Sequence, residues 1–191
     1  MIRWLAVVAA LALQQPGASP VQVVLNTEFG RVTIDVDVAH APVTATNFLK
    51  YVQGGFYDGG RFHRTVRPDT ETRTDVPIQV VQAGIDPTRA PNASPPIPLE
   101  RTIATGLTHV DGALSMARNG PDSARSDFFI CIGEQPALDF AGARNADGQG
   151  FAVFGRVVAG MDVVRRIQAA PAREKTQNLA PPIKILTATV R

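Results

Sequence analysis

The 191-residue chain has few of the residues that mark metal-binding and disulfide-stabilised proteins. It contains one cysteine, Cys131, so it forms no internal disulfide and offers no cysteine pair to a metal. The apolar neighbours of Cys131 in the segment Phe128–Ile132 predict a buried structural thiol rather than a nucleophile. The histidines, His40, His63 and His109, do not have the spacing of metal ligands, so we expect no metal site.

Runs of like charge and phosphate-binding loops are also absent. The formal net charge is +2, and the basic residues are scattered, which excludes a nucleic-acid footprint of the usual kind. The glycine pairs Gly54-Gly55 and Gly59-Gly60 bracket a turn, whereas a phosphate cradle needs a strand followed by a helix. We therefore expect neither a nucleic-acid partner nor a cofactor.

One apolar run stands at the amino terminus. Trp4–Leu13, about ten residues after the positive charge of Arg3, has the length of a signal-peptide core and is shorter than the ~20 residues of a membrane span. We expect residues 1–20 to be a cleaved export signal, although Pro20 makes a poor cleavage site; a retained anchor or an extra buried helix is the alternative. Cleavage would leave a periplasmic or secreted protein without a stable membrane span.

The remainder, residues 21–191, predicts one β-rich domain. Val21–Leu25 and the alternating segment Arg31–Val38 predict an antiparallel hairpin that turns at Gly30. Two helices are predicted, Val43–Val52 after Pro42 and Met161–Gln168. Further strands are predicted at Phe62–Val66, Ile78–Ala83, Gly112–Ala117, Phe128–Ile132, Ala152–Val158 and Ile183–Val190. Many strands with two helices favour a mainly β fold, a closed antiparallel β-barrel capped by two α-helices.

The segment Gly112–Gly133 is the most informative about function. Two apolar runs in it flank a polar loop built on Asn119–Asp122, and the cluster Arg61-Phe62-His63-Arg64 precedes it. Val81–Gly84 lies between this cluster and the segment Gly112–Gly133, and Gly150–Arg156 follows the segment. Together, these four motifs resemble those of the cyclophilin-type peptidyl-prolyl cis-trans isomerases. The resemblance covers residues 21–191 except for an ill-matched stretch between residues 64 and 79.

The resemblance implies rotation about X-Pro peptide bonds. That rotation faces a barrier of ~18–20 kcal/mol and takes ~10–100 s uncatalysed. No bond is made, so no nucleophile, metal or redox cofactor is required. In the twisted transition state the proline nitrogen regains its lone pair, and a fixed guanidinium can stabilise it. The resemblance assigns this role to Arg64; by itself, Arg64 would be read as an exposed strand arginine.

The resemblance also implies a substrate groove. Met116, Phe129 and Leu138 would form an apolar proline pocket, and Phe151 stands where the family often has a histidine. Gln82 would bind the substrate backbone, and strand alternation places Val80 on the same face. The remaining groove residues are Ala117, Arg118 and Asp127. Alternation further predicts that Phe128 and Phe129 face opposite sides, as do His63 and Arg64.

Departures from the family pattern leave alternatives open. Gln79 stands where an aromatic residue is typical, unless an insertion shifts the register, and Ala137 stands where many eukaryotic members have a cyclosporin-contacting tryptophan. We therefore expect weak or no cyclosporin binding. The polar segment Thr65–Pro77 predicts an inserted surface loop, either passive or involved in substrate choice.

The leading hypothesis is a monomeric isomerase that acts on proline-containing polypeptides during protein folding. The first alternative is a non-catalytic proline-peptide-binding or chaperone module of the cell envelope. The second is a purely structural domain within an envelope assembly.

Overall fold

A computed structural model describes residues 19–191, so the predicted export signal lies almost wholly outside the described residues. Eight strands close into an antiparallel barrel in the order β1-β2-β7-β5-β6-β4-β3-β8. The strands are β1 (Val21–Thr27), β2 (Gly30–Val36), β3 (Arg61–Val66), β4 (Val80–Gly84), β5 (Ala113–Met116), β6 (Phe128–Cys131), β7 (Ala152–Ala159) and β8 (Asn178–Val190). The predicted mainly β barrel is therefore confirmed.

The first hairpin forms where the sequence predicts it. β1 and β2 pair from Val21 opposite Val36 to Thr27 opposite Gly30, which leaves a two-residue turn. Gly30 has a φ of 136°, a conformation that side chains disfavour. The Thr27 hydroxyl donates a 2.7 Å hydrogen bond to the Gly30 carbonyl and closes the turn.

Both predicted helices are present, as α1 (Pro42–Gln53) and α3 (Met161–Ala169). A short helix, α2 (Thr102–Thr105), and two 3₁₀ segments, Pro87–Asn92 and Pro136–Leu138, are additional. α1 has no capping side chain of its own. Glu100 supplies one from another segment, since its carboxylate accepts hydrogen bonds from the first amides of α1 at 3.0 and 2.7 Å.

Side-chain alternation divides the core into two clusters. The larger one fills the barrel and its helical caps, with Phe48 of α1 packed against Phe128 and Phe154 at ring-centroid distances of 5.4 and 5.1 Å. The smaller cluster lies on the outer face of the barrel and includes Val80 and Phe129. Phe128 and Phe129 thus face opposite sides of β6, as the sequence predicts.

The predicted start of the inserted loop is wrong. Thr65 and Val66 belong to β3 and are fully buried, and the Thr65 hydroxyl donates a 2.8 Å hydrogen bond to the Gln168 carbonyl of α3. A polar threonine is tolerated there because this carbonyl satisfies it. The loop therefore runs from residue 67 to residue 79. No helix within residues 19–191 has both the length and the apolar character of a membrane span.

Candidate active site

A groove with a cavity of about 440 Å³ runs along the outer face of β3, β4 and β6. Every residue that the sequence predicts for the site lines it, with the exception of Met116. These residues are Arg64, Val80, Gln82, Ala117, Arg118, Asp127, Phe129, Leu138 and Phe151. They come from separate parts of the chain, and barrel closure brings them together.

Met116 is placed incorrectly by the sequence prediction. It lies in the larger core cluster, is 1% exposed and does not line the groove. On β5 it stands opposite Phe128, which faces the barrel interior. Because directly paired residues of neighbouring strands share a face, Met116 faces inward with it.

Arg64 lies at the rim of the groove and is held by two glutamines. Its Nε and Nη2 donate hydrogen bonds of 2.9 and 2.6 Å to Gln177 Oε1, and its Nη1 donates one of 3.0 Å to Gln82 Oε1. Burial and the neighbouring Arg144 lower the pKa of Arg64, while Glu71 opposes this shift. The guanidinium is thus partly desolvated and fixed in orientation.

Strand alternation does not hold at His63. The pairing of β3 with β4 and with β8 shifts register between Phe62 and Arg64, as in a β-bulge. His63 and Arg64 therefore line adjacent clefts on the outer face, and His63 Nε2 lies 3.6 Å from Asp127 Oδ2. The prediction that His63 points away from Arg64 is wrong, because the bulge breaks the two-residue period.

Gln82 links Arg64 to Asp127. Its Oε1 accepts from Arg64, and its Nε2 donates a 3.2 Å hydrogen bond to Asp127 Oδ2. Gly84 leaves room for this carboxylate, since a Cβ at Gly84 would lie 2.5 Å from Asp127 Oδ1. The side-chain amide of Gln82 thereby has a defined orientation.

The apolar part of the groove is built around two aromatic rings. Phe129 and Phe151 meet edge to face, with centroids 5.3 Å apart at 88°. Leu138 and Val80 complete the wall, and Ile78 joins them from the end of the inserted loop. Gln79 is exposed outside the groove, so Ile78 supplies the apolar side chain that Gln79 lacks.

His109 supports this wall from behind, a role that the sequence did not indicate. Its side chain is 0% exposed and stacks on Phe129 at 5.9 Å and 10°. Nδ1 lies 2.6 Å from Asp139 Oδ1, and Nε2 lies 3.0 Å from Ser115 Oγ. No local pattern could reveal this arrangement, because Asp139 is 30 residues further along the chain.

Arg118 is occupied by structural contacts. Its Nη1 and Nη2 donate to the Asp147 carboxylate at 2.7 and 2.9 Å, and its Nε donates to the Gly150 carbonyl at 2.7 Å. Its guanidinium carbon also lies 5.1 Å from the centre of the Phe151 ring. The hydrogen bond from Arg118 is the main cause that lowers the pKa of Asp147 to about 2. Arg118 therefore fixes the segment that carries Phe151.

Sequence reasoning also missed a buried ion pair whose arginine, Arg144, lines the groove. Arg144 Nη1 and Nη2 donate to the two oxygens of Glu71 at 2.8 and 3.2 Å. Burial alone raises the pKa of the Glu71 carboxyl, but hydrogen bonds from the Arg73 amide and Arg144 outweigh it and the pKa is lowered. Their separation of 73 residues hides the pair in the sequence.

The buried thiol of Cys131 agrees with the sequence prediction. The three histidines lie beside three different carboxylates, those of Asp37, Asp127 and Asp139. Within residues 19–191, no three histidine, cysteine, aspartate or glutamate side chains are grouped as metal ligands would be.

Comparison with known proteins gives a consistent result. Residues 22–190 match the family described as "Cyclophilin type peptidyl-prolyl cis-trans isomerase/CLD". The chain is 32% identical over 189 residues to a peptidyl-prolyl cis-trans isomerase of Acinetobacter baylyi, with 97% of this chain and 93% of that protein covered. It is 37% identical over 145 residues to the isomerase cyp18 of Streptomyces antibioticus, covering 75% and 81%.

Solved structures agree on the fold. A cyclophilin-type peptidyl-prolyl cis-trans isomerase of Cryptosporidium parvum superposes with a TM-score of 0.71 at 20% identity, covering 90% of this chain and 98% of that one. A second structure of the Cryptosporidium protein, determined in the presence of the dipeptide Ala-Pro, gives a TM-score of 0.70, also at 20% identity, covering 89% and 98%.

Proposed function

The chain belongs to the cyclophilin-type peptidyl-prolyl cis-trans isomerases, and we propose that Arg64 provides its transition-state stabilisation. The main support for this proposal is that the Arg64 guanidinium is fixed beside an apolar pocket. A guanidinium has five N–H donors. Arg64 uses one each at Nε, Nη1 and Nη2 for internal hydrogen bonds, so two remain for a substrate.

The required rate enhancement fits this arrangement. Acceleration from tens of seconds to milliseconds lowers the barrier by ~5–7 kcal/mol. One preorganised donor in a water-poor site contributes about 2.7–4 kcal/mol. The remainder comes from the pocket, where Phe129, Leu138 and Val80 hold the proline ring away from water while the preceding carbonyl turns.

Gln82 is proposed to hold the substrate backbone. One hydrogen of its Nε2 is engaged with Asp127, which leaves the second hydrogen for a substrate carbonyl. The main chain of Ala117 and Arg118 borders the same groove and offers further contacts. Because the Arg118 side chain is held by Asp147, its contribution is confined to the backbone and to the position of Phe151.

The substrate class proposed is an extended polypeptide that contains proline, with little further demand on sequence. The Ala-Pro dipeptide named for the Cryptosporidium structure supports this choice. We further propose that the protein is a monomer. The apolar run Trp4–Leu13 supports the separate proposal that it acts in the periplasm or outside the cell after residues 1–20 are removed. Weak or no cyclosporin binding is proposed because Ala137 presents only a methyl group.

The test is NMR exchange spectroscopy on a short Ala-Pro peptide. Wild-type protein is compared with Arg64→Ala and with Arg64→Lys, which keeps the charge but loses the planar fork. We expect catalysed exchange with the wild type, a loss of about 10²–10³ in rate with Arg64→Ala, and little recovery with Arg64→Lys. Undiminished exchange in Arg64→Ala would refute the role of Arg64. Peptide binding without exchange in the wild type would establish a binding module instead.

A further inference from the structure

The inserted loop, residues 67–79, turns a buried carboxylate toward the site. The Glu71 side chain is 4% exposed although its neighbours in the loop are polar and accessible. Its oxygens accept from three backbone amides of the loop, those of Thr72 (2.8 Å), Arg73 (2.9 Å) and Ile78 (3.1 Å). With the two bonds from Arg144, the carboxylate is held in a fixed position. A passive surface loop would not bury a charge in this way.

Gln177 connects this carboxylate to Arg64. Gln177 Nε2 lies 3.5 Å from Glu71 Oε1, and Gln177 Oε1 accepts both bonds from Arg64. An amide side chain has a donor end and an acceptor end that exchange places when it flips. Glu71 can accept only from the donor end, so it keeps the acceptor end of Gln177 turned toward Arg64. Without Glu71, a flipped Gln177 would present N–H groups to the guanidinium.

Charge gives a second reason why the position of Arg64 depends on Glu71. Arg64 and Arg144 line the same groove, so two guanidinium groups face one cavity. Arg144 disfavours the charged form of Arg64, whereas Glu71 favours it. Because Arg144 is engaged by Glu71 at 2.8 Å, the carboxylate offsets the repulsion between the two guanidinium groups.

We propose that Glu71, acting through Gln177 and Arg144, is a positioning residue for Arg64, which makes the inserted loop part of the isomerase site. This inference rests on the proposed role of Arg64. The inserted loop would then help to position Arg64, and a shorter connection between β3 and β4 would have no Glu71 to do so.

The test compares Glu71→Gln and Gln177→Leu with Asp75→Asn. Asp75 lies in the same loop and pairs with Arg73 in an exposed ion pair, so Asp75→Asn is a matched control. We expect kcat for peptide exchange to fall about tenfold or more in the first two variants, a part of the 10²–10³ that a lost donor costs. KM should change less than twofold, and the control should match the wild type. The Arg64 Nε–H resonance should shift in both variants and stay in place in the control.

A second comparison separates positioning from general destabilisation. In an Arg64→Ala background, Glu71→Gln should cause no further loss of rate, because the two residues act as one unit. Multiplicative losses would overturn the proposal, as would full kcat in a folded Glu71→Gln variant, whatever the activity of Gln177→Leu. If Glu71→Gln does not fold, Glu71→Asp takes its place, because it keeps the charge but shortens the side chain that reaches Gln177; full kcat in that variant would overturn the proposal. Should Arg64→Ala alone keep full activity, the proposed function fails instead.

A second cleft, independent of the loop, adjoins the proline groove. Its cavity is about 920 Å³, and Arg125, Ser126 and Asp127 line both spaces. Three arginines, Arg61, Arg125 and Arg173, surround it, with Ile85, Leu179 and Pro181 among its apolar residues. Within residues 19–191, none of these three arginines forms an ion pair with a carboxylate. Asp127 is the acidic residue of the lining and faces His63.

We infer that this cleft binds an acidic side chain of the same polypeptide whose proline occupies the groove. The positive charge of the three arginines exceeds the negative charge of Asp127, and the two cavities adjoin, since Arg125, Ser126 and Asp127 line both. An extended chain that leaves the proline pocket past Asp127 therefore meets unpaired guanidinium groups. The inference names a substrate preference and rests on the proposed function.

The test uses peptides with glutamate or glutamine at each position two to five residues on either side of proline. At low salt we expect glutamate at one position to raise kcat/KM and to lower Kd about threefold or more, and 0.5 M NaCl to remove the gain. The double variant Arg61→Gln/Arg173→Gln should lose the preference, while Arg191→Gln, at the other end of β8, should keep it. Equal values for glutamate and glutamine at every position would overturn the inference. Because Kd is measured by titration, the preference for glutamate can be tested even if the protein does not catalyse isomerisation.

Discussion

Replacement of His109 by leucine should destabilise the fold far more than replacement of His40 by alanine, although both histidines contact an aspartate. His109 is 0% exposed, with Nδ1 2.6 Å from Asp139, whereas His40 is 61% exposed, with Nδ1 2.8 Å from Asp37. The two contacts are almost equal in length. The two sites therefore differ in burial and in the further partners of His109, Ser115 and Phe129.

The magnitude follows from what His109→Leu leaves behind. The fully buried Ser115 hydroxyl loses its 3.0 Å partner, at a cost of ~1–3 kcal/mol. Asp139 loses one partner but keeps the His109 amide at 3.1 Å and is partly exposed, so its loss lies near ~1 kcal/mol. Loss of the stacking on Phe129 adds ~0.5–1.5 kcal/mol. Since leucine returns part of this through its apolar surface, we expect a net cost of roughly 2–4 kcal/mol.

The assay is equilibrium unfolding in urea, with thermal unfolding as a second measurement. At ~2–4 °C for each kcal/mol in a domain of this size, Tm should fall by roughly 5–15 °C in His109→Leu. His40→Ala should remain within ~0.5 kcal/mol of the wild type, as exposed ion pairs contribute little. A change below ~1 kcal/mol in His109→Leu would refute the argument that buried hydrogen bonds support the Phe129 wall.

Two further predictions concern titratable groups. Burial raises the pKa of the Cys131 thiol, so an aromatic disulfide reagent at pH 8 should leave the native protein unlabelled and label it after unfolding in guanidinium; rapid labelling of the native protein would contradict the burial. The lowered pKa of Glu71 means that its contribution to stability is present above the ordinary carboxyl pKa, about 4.3, and is lost as the pH falls through the lower folded value. The free energy of unfolding, measured in urea from pH 5 to pH 2.5, should therefore fall less steeply in Glu71→Gln than in the wild type, and equal slopes would show that Glu71 does not contribute.

The sequence alone determined the features that depend on local order. Two-residue alternation predicts opposite faces for Phe128 and Phe129, and it holds because β6 pairs with both neighbours without a bulge. Gly30 fixes the first hairpin, because few other residues adopt its φ. The spacing of Gln82 and Val80 likewise places both on one face. Each of these properties depends on only a few neighbouring residues of the chain.

Only the tertiary structure decided the features that depend on barrel closure. The bulge at His63 and the inward direction of Met116 follow from pairing with neighbouring strands, which the sequence of one strand does not specify. Glu71 and Gln177 are 106 residues apart, and in the sequence each lies in a polar segment with nothing to connect it to the other. Their meeting beside Arg64 arises because closing the barrel pairs β3 with β8 and brings the loop after one strand against the segment before the other. A residue's chemistry is set by its identity, but its partners are set by how the strands close.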